Sequence, residues 1–233
     1  MTTTHPETLN LAQARFNMIE QQIRPWEVLD ANVLALLESV PREGFVPAAL
    51  QSLAYADLEL PLTQPAREGQ CLLAPRVQAR LVQDAQIRPT DKVLEIGGGS
   101  GFMAALMARL ARSVTSLEID PALAAMARSN LQQAGITNVE VRQADACADQ
   151  FAACALDAPW DVIVLSGSVA EVPPALLALL APGGRLVAVV GYEPVMRATV
   201  VTRVAEGSYQ TTQPWDSITP RLLNFPEPSR FQF

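Results

Sequence analysis

The chain has 233 residues, of which 49% are hydrophobic and 18% charged, a composition typical of a folded domain rather than a disordered segment. Its 17 basic and 24 acidic residues give a net charge of −7, which argues against a nucleic-acid partner because phosphate contacts need clustered basic residues. The one histidine, His5, lies in the N-terminal tail, which excludes hydrolases that need a positioned imidazole.

The cysteines and the apolar segments exclude further classes. Cys71, Cys147 and Cys154 lack the spacing of metal ligands, so we expect no metal site. An odd number of cysteines without an export signal favours a reducing cytoplasm. No apolar run reaches the roughly 18 residues that span a bilayer, so we expect no membrane segment.

The first ninety residues, 1–90, predict a helical extension packed on the same domain as the rest of the chain. Helices are expected over residues 9–23, 31–40 and 75–85, where apolar side chains recur three and four positions apart. Asp30 is a suitable N-cap for the second of them. Residues 47–69 are rich in proline and are expected to form a loop.

Residues 91–191 alternate between short apolar segments and amphipathic ones. The predicted strands are Lys92–Ile96, Ser113–Glu118, Val139–Val141, Asp161–Leu165 and Arg185–Val190, and the predicted helices are Phe102–Ala111, Pro121–Ala134 and Pro173–Leu180. This rhythm predicts an α/β fold with a doubly wound, mostly parallel sheet and helices on both faces. Residues 192–233 are expected to complete the sheet with C-terminal strands, β-like over Thr199–Val204 and loop-like afterwards.

A glycine-rich loop follows the first predicted strand of this core. Four of the 12 glycines lie within residues 97–101, between a strand and a helix. One glycine suffices for a plain turn, so four of them predict a loop whose backbone approaches a ligand closely. In an open α/β sheet, ligands bind at the carboxyl ends of the strands, near the point where the strand order reverses.

Two kinds of ligand compete for this loop. The stretch from Gly99 fits the dinucleotide pattern G-x-G-x-x-A, and Glu118 lies near the spacing expected of a ribose-binding acid. Glu95, however, comes two positions before the loop and would repel a pyrophosphate. A sulfonium cofactor with a cationic amino group would pair with this carboxylate, so the pattern favours S-adenosylmethionine.

Acidic residues after the later strands complete the predicted cofactor site. Glu118 ends the second strand of the core, where its carboxylate can accept both ribose hydroxyls. Asp145 follows the third strand and can accept a hydrogen bond from the adenine amino group, with a capping role as the alternative. The predicted cofactor-binding residues are Glu95, Gly97, Gly99, Ser100, Gly101, Glu118, Ile119, Asp145 and Ala146.

Longer motifs accompany the glycine loop along most of the chain. They are Met18–Arg24, Val40–Pro47, Ala54–Asp57, Leu60–Leu62, Gly69–Gln70, Pro75, Val93–Gly101, Pro173–Leu177 and Pro182–Leu186. With these motifs the chain resembles the protein-L-isoaspartate O-methyltransferases, a family of class I methyltransferases, from about Asn17 to Val190. The glycine loop alone is typical of methyltransferases in general, whereas the N-terminal motifs are far more specific to this family.

The resemblance implies a Rossmann-like class I methyltransferase fold and a repair reaction. The methyl group of S-adenosylmethionine would pass to the free α-carboxylate of an L-isoaspartyl residue in a damaged protein or peptide, and the ester would then collapse to a succinimide. The composition suits this reaction, because a carboxylate with a pKa near ~4 is already ionised at neutral pH. Its attack on a methyl group needs positioning and exclusion of water rather than a general base.

The main departure from the family lies in the acceptor segment. Cys71 stands in the family's threonine position and Leu73 in that of its serine, so the usual catalytic hydroxyl is missing. Leucine cannot orient a carboxylate by hydrogen bonding. Ser166 or Ser168, with Arg67, is a candidate replacement. Cys71 is another, although a lone cysteine in an apolar run is more often inert packing.

The sequence therefore leaves three functions open. Isoaspartyl carboxyl methylation is favoured by the motifs, and the alternatives are methylation of a small molecule or cofactor binding with the isoaspartyl activity lost. The C-terminal tail, Trp215 to Phe233, is rich in proline and aromatic residues. It is expected either to cover the acceptor cleft or to pack on the sheet edge, and the oligomeric state is not predicted.

Overall fold

The computed structural model describes residues 10–228 of the chain. Its helices are α1 (Leu11–Met18), α2 (Ala31–Ser39), α3 (Pro75–Ala85), α4 (Phe102–Ala108), α5 (Pro121–Gln133), α6 (Ala152–Ala155) and α7 (Pro174–Ala178). Its strands are β1 (Leu60–Pro61), β2 (Cys71–Leu72), β3 (Lys92–Ile96), β4 (Ser113–Glu118), β5 (Val139–Gln143), β6 (Trp160–Val169), β7 (Leu180–Tyr192), β8 (Val195–Ala205) and β9 (Ser208–Asp216). His5 lies outside the described residues, as do residues 229–233.

One seven-stranded sheet organises the fold, in the order β5-β4-β3-β6-β7-β8-β9. The five strands β5, β4, β3, β6 and β7 are parallel to one another, and β8 and β9 are antiparallel at one edge of the sheet. From β3 the chain proceeds outward to β4 and β5 and then crosses back to β6 on the other side. The strand order therefore reverses between β3 and β6, where ligands bind in sheets of this kind.

The central strands are buried on both faces because helices cover both. In β3 the side chain of Val93 joins the core under α3, α4 and α5, while the next residue, Leu94, joins the core under α6 and α7. The same alternation recurs in the neighbouring strand β6, at Val162 and Ile163. Successive side chains of a strand point to opposite faces, so these continuous apolar runs predict a sheet between two helical layers.

The N-terminal extension is tied to the core by a buried arginine. Arg42 is 1% exposed and donates hydrogen bonds to the backbone oxygens of Ala54 (2.8 Å) and Leu73 (2.6 Å), and to the side chain of Gln78 in α3. Burial lowers the pKa of its guanidinium to about 9. These contacts tie the N-terminal extension to α3 and to the segment just before it.

The predicted α/β fold is confirmed, and several element bounds differ from those expected. Helix α3 runs over the predicted residues 75–85, whereas α7 is shorter than expected and Leu180 already belongs to β7. The loop expected after Val204 was wrong, because residues 208–216 form the edge strand β9. This strand is polar and mostly exposed, so it lacks the apolar alternation that identifies a strand, and pairing with β8 stabilises it instead. No described helix is long and apolar enough to cross a membrane.

Candidate functional site

The glycine loop closes around the carboxyl end of β3. The backbone N–H groups of Gly97 and Gly98 donate to the carbonyl oxygen of Leu117 in β4, at 2.9 and 3.1 Å. Gly97 has φ +89°, and a Cβ there would lie 2.7 Å from the Leu222 side chain. Only glycine fits this conformation in this space, so the backbone itself forms one wall of a cavity.

Two adjoining cavities lie at the reversal point of the sheet. The first runs from the glycine loop along the ends of β4 and β5 and includes Gly97, Gly99, Glu118, Ile119, Asp145, Ala146 and Ser166; it is called the cofactor pocket because predicted cofactor-binding residues line it. The second has a volume of about 720 Å³ and opens between the segment before α3 and the start of β8; it is called the acceptor cavity because the segment predicted to hold the acceptor lines it. Glu68, Gly69, Cys71, Arg221 and Leu223 line both.

Glu95 is a fully buried carboxylate at the base of the cofactor pocket. Its two oxygens accept hydrogen bonds from the hydroxyls of Ser116 (2.6 Å) and Ser166 (2.8 Å). Burial raises its pKa to about 7, and the nearby Glu118 adds to the shift, whereas the two hydroxyls oppose it. The acid thus lies behind Ser166, which lines the pocket, and no positive side chain among the described residues pairs with it.

Glu118 is held at the end of β4 by backbone donors. Its Oε2 accepts from the N–H of Gly99 (2.7 Å) and its Oε1 from the N–H of Asp120 (2.9 Å). Burial raises its pKa, while these two hydrogen bonds lower it. Each carboxylate oxygen has a second lone pair, so Glu118 can still accept hydrogen bonds from a diol in the pocket. Asp120 has a different role, because it caps α5 through the N–H groups of Ala122 and Leu123.

Asp145 follows β5 and lines the same pocket. Its Oδ1 accepts from the backbone N–H of Cys147 (2.9 Å), and its Oδ2 accepts from the side-chain amide of Asn224 (2.7 Å). Both oxygens thus have protein donors, and each also has a lone pair left. Asp145 therefore stabilises the loop after β5 and also lines the cavity, and its contact with an adenine amino group stays a prediction.

Ser100 and Gly101 lie apart from the cavity lining. Ser100 is fully buried, and its carbonyl oxygen accepts a hydrogen bond from Asn130 of α5 (2.9 Å). A Cβ on Gly101 would lie 3.2 Å from Ala127 of the same helix. These two residues bring α4 and α5 together, and their direct contact with a cofactor stays a prediction.

The residues considered as substitutes for the missing hydroxyl are dispersed. Leu73 is 4% exposed and lies outside both cavities. Ser166 lines the cofactor pocket and donates to Glu95, whereas the Ser168 hydroxyl is buried and donates to the carbonyl oxygen of Thr219 (2.8 Å). The side chain of Arg67 is 66% exposed and pairs with Asp120 at 3.5 Å, away from the lining of either cavity.

Cys71 lies at the junction of the two cavities. Burial raises the pKa of its thiol to about 12, and its contact with the Glu59 carboxylate (3.7 Å) adds to the shift. The sulfur is therefore a neutral thiol at physiological pH and a weak nucleophile.

The C-terminal segment, residues 217–228, covers the site, and sequence reasoning identified none of its residues individually. It runs beside the end of β6, with the Ser168 N–H bonded to Pro220 O (2.7 Å) and the Leu222 N–H bonded to Ser168 O (2.9 Å). Leu222 lies against Gly97 and Gly167, and Phe225 packs on Phe151. Trp215, just before this segment, packs on Trp26 at the sheet edge. Within the described residues, the tail therefore contacts both the cavities and the edge of the sheet. These contacts are long-range, so no local periodicity in the sequence indicates them.

Comparison with known proteins places the chain in a family. The family model described as protein-L-isoaspartate(D-aspartate) O-methyltransferase matches residues 13–217. A protein-L-isoaspartate O-methyltransferase of Koribacter versatilis is 40% identical over 211 residues, 89% of this chain and 90% of that protein. Another, of Methanoculleus marisnigri, is 42% identical over 177 residues, 76% of this chain and 77% of that protein.

Solved structures agree on the fold. A protein-L-isoaspartate O-methyltransferase matches with a TM-score of 0.73 and 23% identity, over 88% of this chain and 64% of its own length. A Plasmodium falciparum structure, described as a putative protein-L-isoaspartate O-methyltransferase in complex with S-adenosyl-L-homocysteine, matches with a TM-score of 0.69 and 18% identity, over 90% and 96% of the two chains. The family model covers most of the chain and the relatives are about 40% identical to it, so the chain belongs to the protein-L-isoaspartate(D-aspartate) O-methyltransferase family.

Proposed function

We propose that this chain transfers the methyl group of S-adenosylmethionine to the α-carboxylate of an L-isoaspartyl (or D-aspartyl) residue in a damaged protein or peptide. The observation that carries the proposal is Glu95, a buried carboxylate without a cationic partner among the described residues, directly behind the lining of the pocket. A buried anion of this kind is costly unless a cation compensates it. Glu95 would compensate the cationic amino group of S-adenosylmethionine across the pocket lining.

The remaining pocket residues fit the other parts of the same cofactor. Glu118 has free lone pairs that would accept hydrogen bonds from the ribose hydroxyls, and Asp145 would offer an acceptor for the adenine amino group. The glycine loop lets the backbone approach the ligand without side-chain interference. When bound, S-adenosylmethionine supplies an electrophilic methyl group on a positively charged sulfur.

The acceptor side requires little acid–base chemistry from the protein. No histidine or lysine occurs among the described residues that line the two cavities. A carboxylate acceptor is ionised at neutral pH, so the protein has only to orient it and to exclude water from the junction. An alcohol or amine acceptor would more often need a base, which disfavours methylation of a small-molecule alcohol or amine.

Paired peptides test the proposal. The wild-type protein should methylate an isoaspartyl peptide and leave the same peptide with a normal aspartyl residue unmodified, while calorimetry should detect binding of S-adenosylmethionine. Cofactor binding without methylation of either peptide would refute the repair function and favour the alternatives. A cytoplasmic location stays a prediction, which cell fractionation would test.

A further inference from the structure

The acceptor cavity carries an unusual distribution of charge for an enzyme whose proposed substrate is an anion. Three carboxylates line it, those of Glu59, Glu68 and Glu193. Arg221 is the one basic residue among the described residues that line either cavity, and it lines both. An acceptor carboxylate that enters therefore meets three lining carboxylates and one guanidinium, which is itself paired with Glu227.

The guanidinium of Arg221 is held in place at the junction of the cavities. It donates to the carbonyl oxygen of Gly191 (3.0 Å) and to the Ser168 hydroxyl (3.4 Å), and it pairs with Glu227 (3.0 Å). It also stacks over the Tyr192 ring at 5.3 Å. A guanidinium has five N–H donors, and these contacts use three of them, so further donors can face an anion in the cavity.

The backbone on either side of Arg221 is fixed as well. The carbonyl oxygen of Pro220 and the N–H of Leu222 both bond to Ser168, at the end of the central strand β6. The guanidinium is thus anchored through its side chain and its main chain. Such an oriented donor can replace the hydroxyl that Leu73 lacks, because guanidinium and carboxylate groups match in geometry.

On the basis of the proposed function, we propose that Arg221 binds the acceptor carboxylate and that the acidic lining selects isoaspartyl peptides with lysine or arginine beside the damaged residue. Arg221 neutralises the group that is methylated. Glu59, Glu68 and Glu193, all exposed at the cavity, then attract positive charge on the flanking residues and repel acidic flanks.

Substitution of Arg221 tests the first half of the proposal. Arg221→Gln should raise KM for an isoaspartyl peptide by about 10- to 100-fold, the loss expected of a charge-assisted hydrogen bond, with a smaller change in kcat. Arg221→Lys should recover part of this loss because it keeps the charge but not the fork geometry. Melting temperature and the Kd for S-adenosylmethionine report whether the fold and the cofactor pocket survive. A KM within twofold of the wild type in Arg221→Gln would overturn the proposal.

Flanking charge tests the second half without altering Arg221. Two isoaspartyl peptides would differ only at the positions two residues before and two residues after the isoaspartyl residue. Both positions would be lysine in one peptide and glutamate in the other. The wild type should favour the lysine peptide in kcat/KM by about tenfold at low salt, and the preference should shrink at about 0.5 M salt. Glu59, Glu68 and Glu193 are replaced together with glutamine because a single exposed charge pair contributes little. The triple variant should reduce the preference in kcat/KM to about threefold or less.

Glu206→Gln is the matched control, because Glu206 is exposed in the turn between β8 and β9, outside both cavities. It should leave the peptide preference unchanged. A preference that the triple variant does not alter would overturn the selection by flanking charge. Failure of the wild type to methylate any isoaspartyl peptide, despite cofactor binding, would instead overturn the proposed function and this inference with it.

Discussion

The buried acid at the base of the cofactor pocket should make cofactor affinity dependent on pH. The pKa of Glu95 is raised to about 7, chiefly by burial, so the free protein takes up a proton there in mildly acidic solution. The cationic cofactor needs the anionic form. With a pKa of about 7, the ionised fraction falls from about three-quarters at pH 7.5 to about one-tenth at pH 6.0. The apparent Kd should therefore rise about eightfold over this interval, while the amino group of the ligand stays mostly protonated.

Glu95→Gln should remove this dependence, because glutamine does not titrate. Calorimetry at several pH values should give a flat Kd for the variant, weaker than the wild-type value at pH 7.5 by about 10-fold or more. Glu206→Gln, an exposed carboxylate in the β8–β9 turn, is the control and should retain the wild-type slope. A wild-type Kd that does not change between pH 6.0 and 7.5, or a variant that keeps the slope, would refute the assignment of Glu95.

The same residue should make the protein without cofactor less stable at higher pH. Its folded pKa lies above the ordinary value of 4.5, so its protonated form favours the folded state at low pH, and that advantage is lost as the pH rises through about 7. A shift from 4.5 to about 7 corresponds to a cost of about 3 kcal/mol above pH 7. Glu95→Gln should therefore raise the melting temperature at pH 8 and have little effect at pH 5. Denaturation at the two pH values measures this difference, and equal effects at both would contradict it.

Three further substitutions test other parts of the site. Glu118→Ala should weaken S-adenosylmethionine binding by about 1–3 kcal/mol, the cost of leaving the ribose hydroxyls unpaired, and an unchanged Kd by calorimetry would contradict the ribose role. Leu73→Ser should lower the free energy of unfolding by roughly 2–4 kcal/mol, because Leu73 is buried. It should not raise the methylation rate, because Leu73 lies outside both cavities, and a tenfold gain in rate would contradict this. Gly97→Ala should lower both the melting temperature and the cofactor affinity, since its Cβ would meet Leu222 at 2.7 Å with φ at +89°, and wild-type values of both would contradict it.

Local sequence patterns determined the helices, the central strands and the position of the cofactor pocket. The apolar runs of β3 and β6 predict buried strands, because a strand covered on both faces has apolar side chains at consecutive positions. Such a run is visible in adjacent residues of the sequence. Glu95 lies two residues before the glycine loop, and Glu118 lies at the end of β4. Parallel topology brings those strand ends to one edge, so their meeting could be predicted.

Only the tertiary structure decided the acceptor side. Arg221 and Leu222 reach the cavities because the C-terminal segment pairs with Ser168, a contact between residues about fifty positions apart that no local pattern encodes. The edge strand β9 was missed for a related reason, since its polar side chains form a strand only because β8 pairs with it. Sequence alone thus determined the parts of this protein that depend on short-range periodicity and strand order. Long-range packing, which the order of residues does not display, decided which charged side chains line the second cavity.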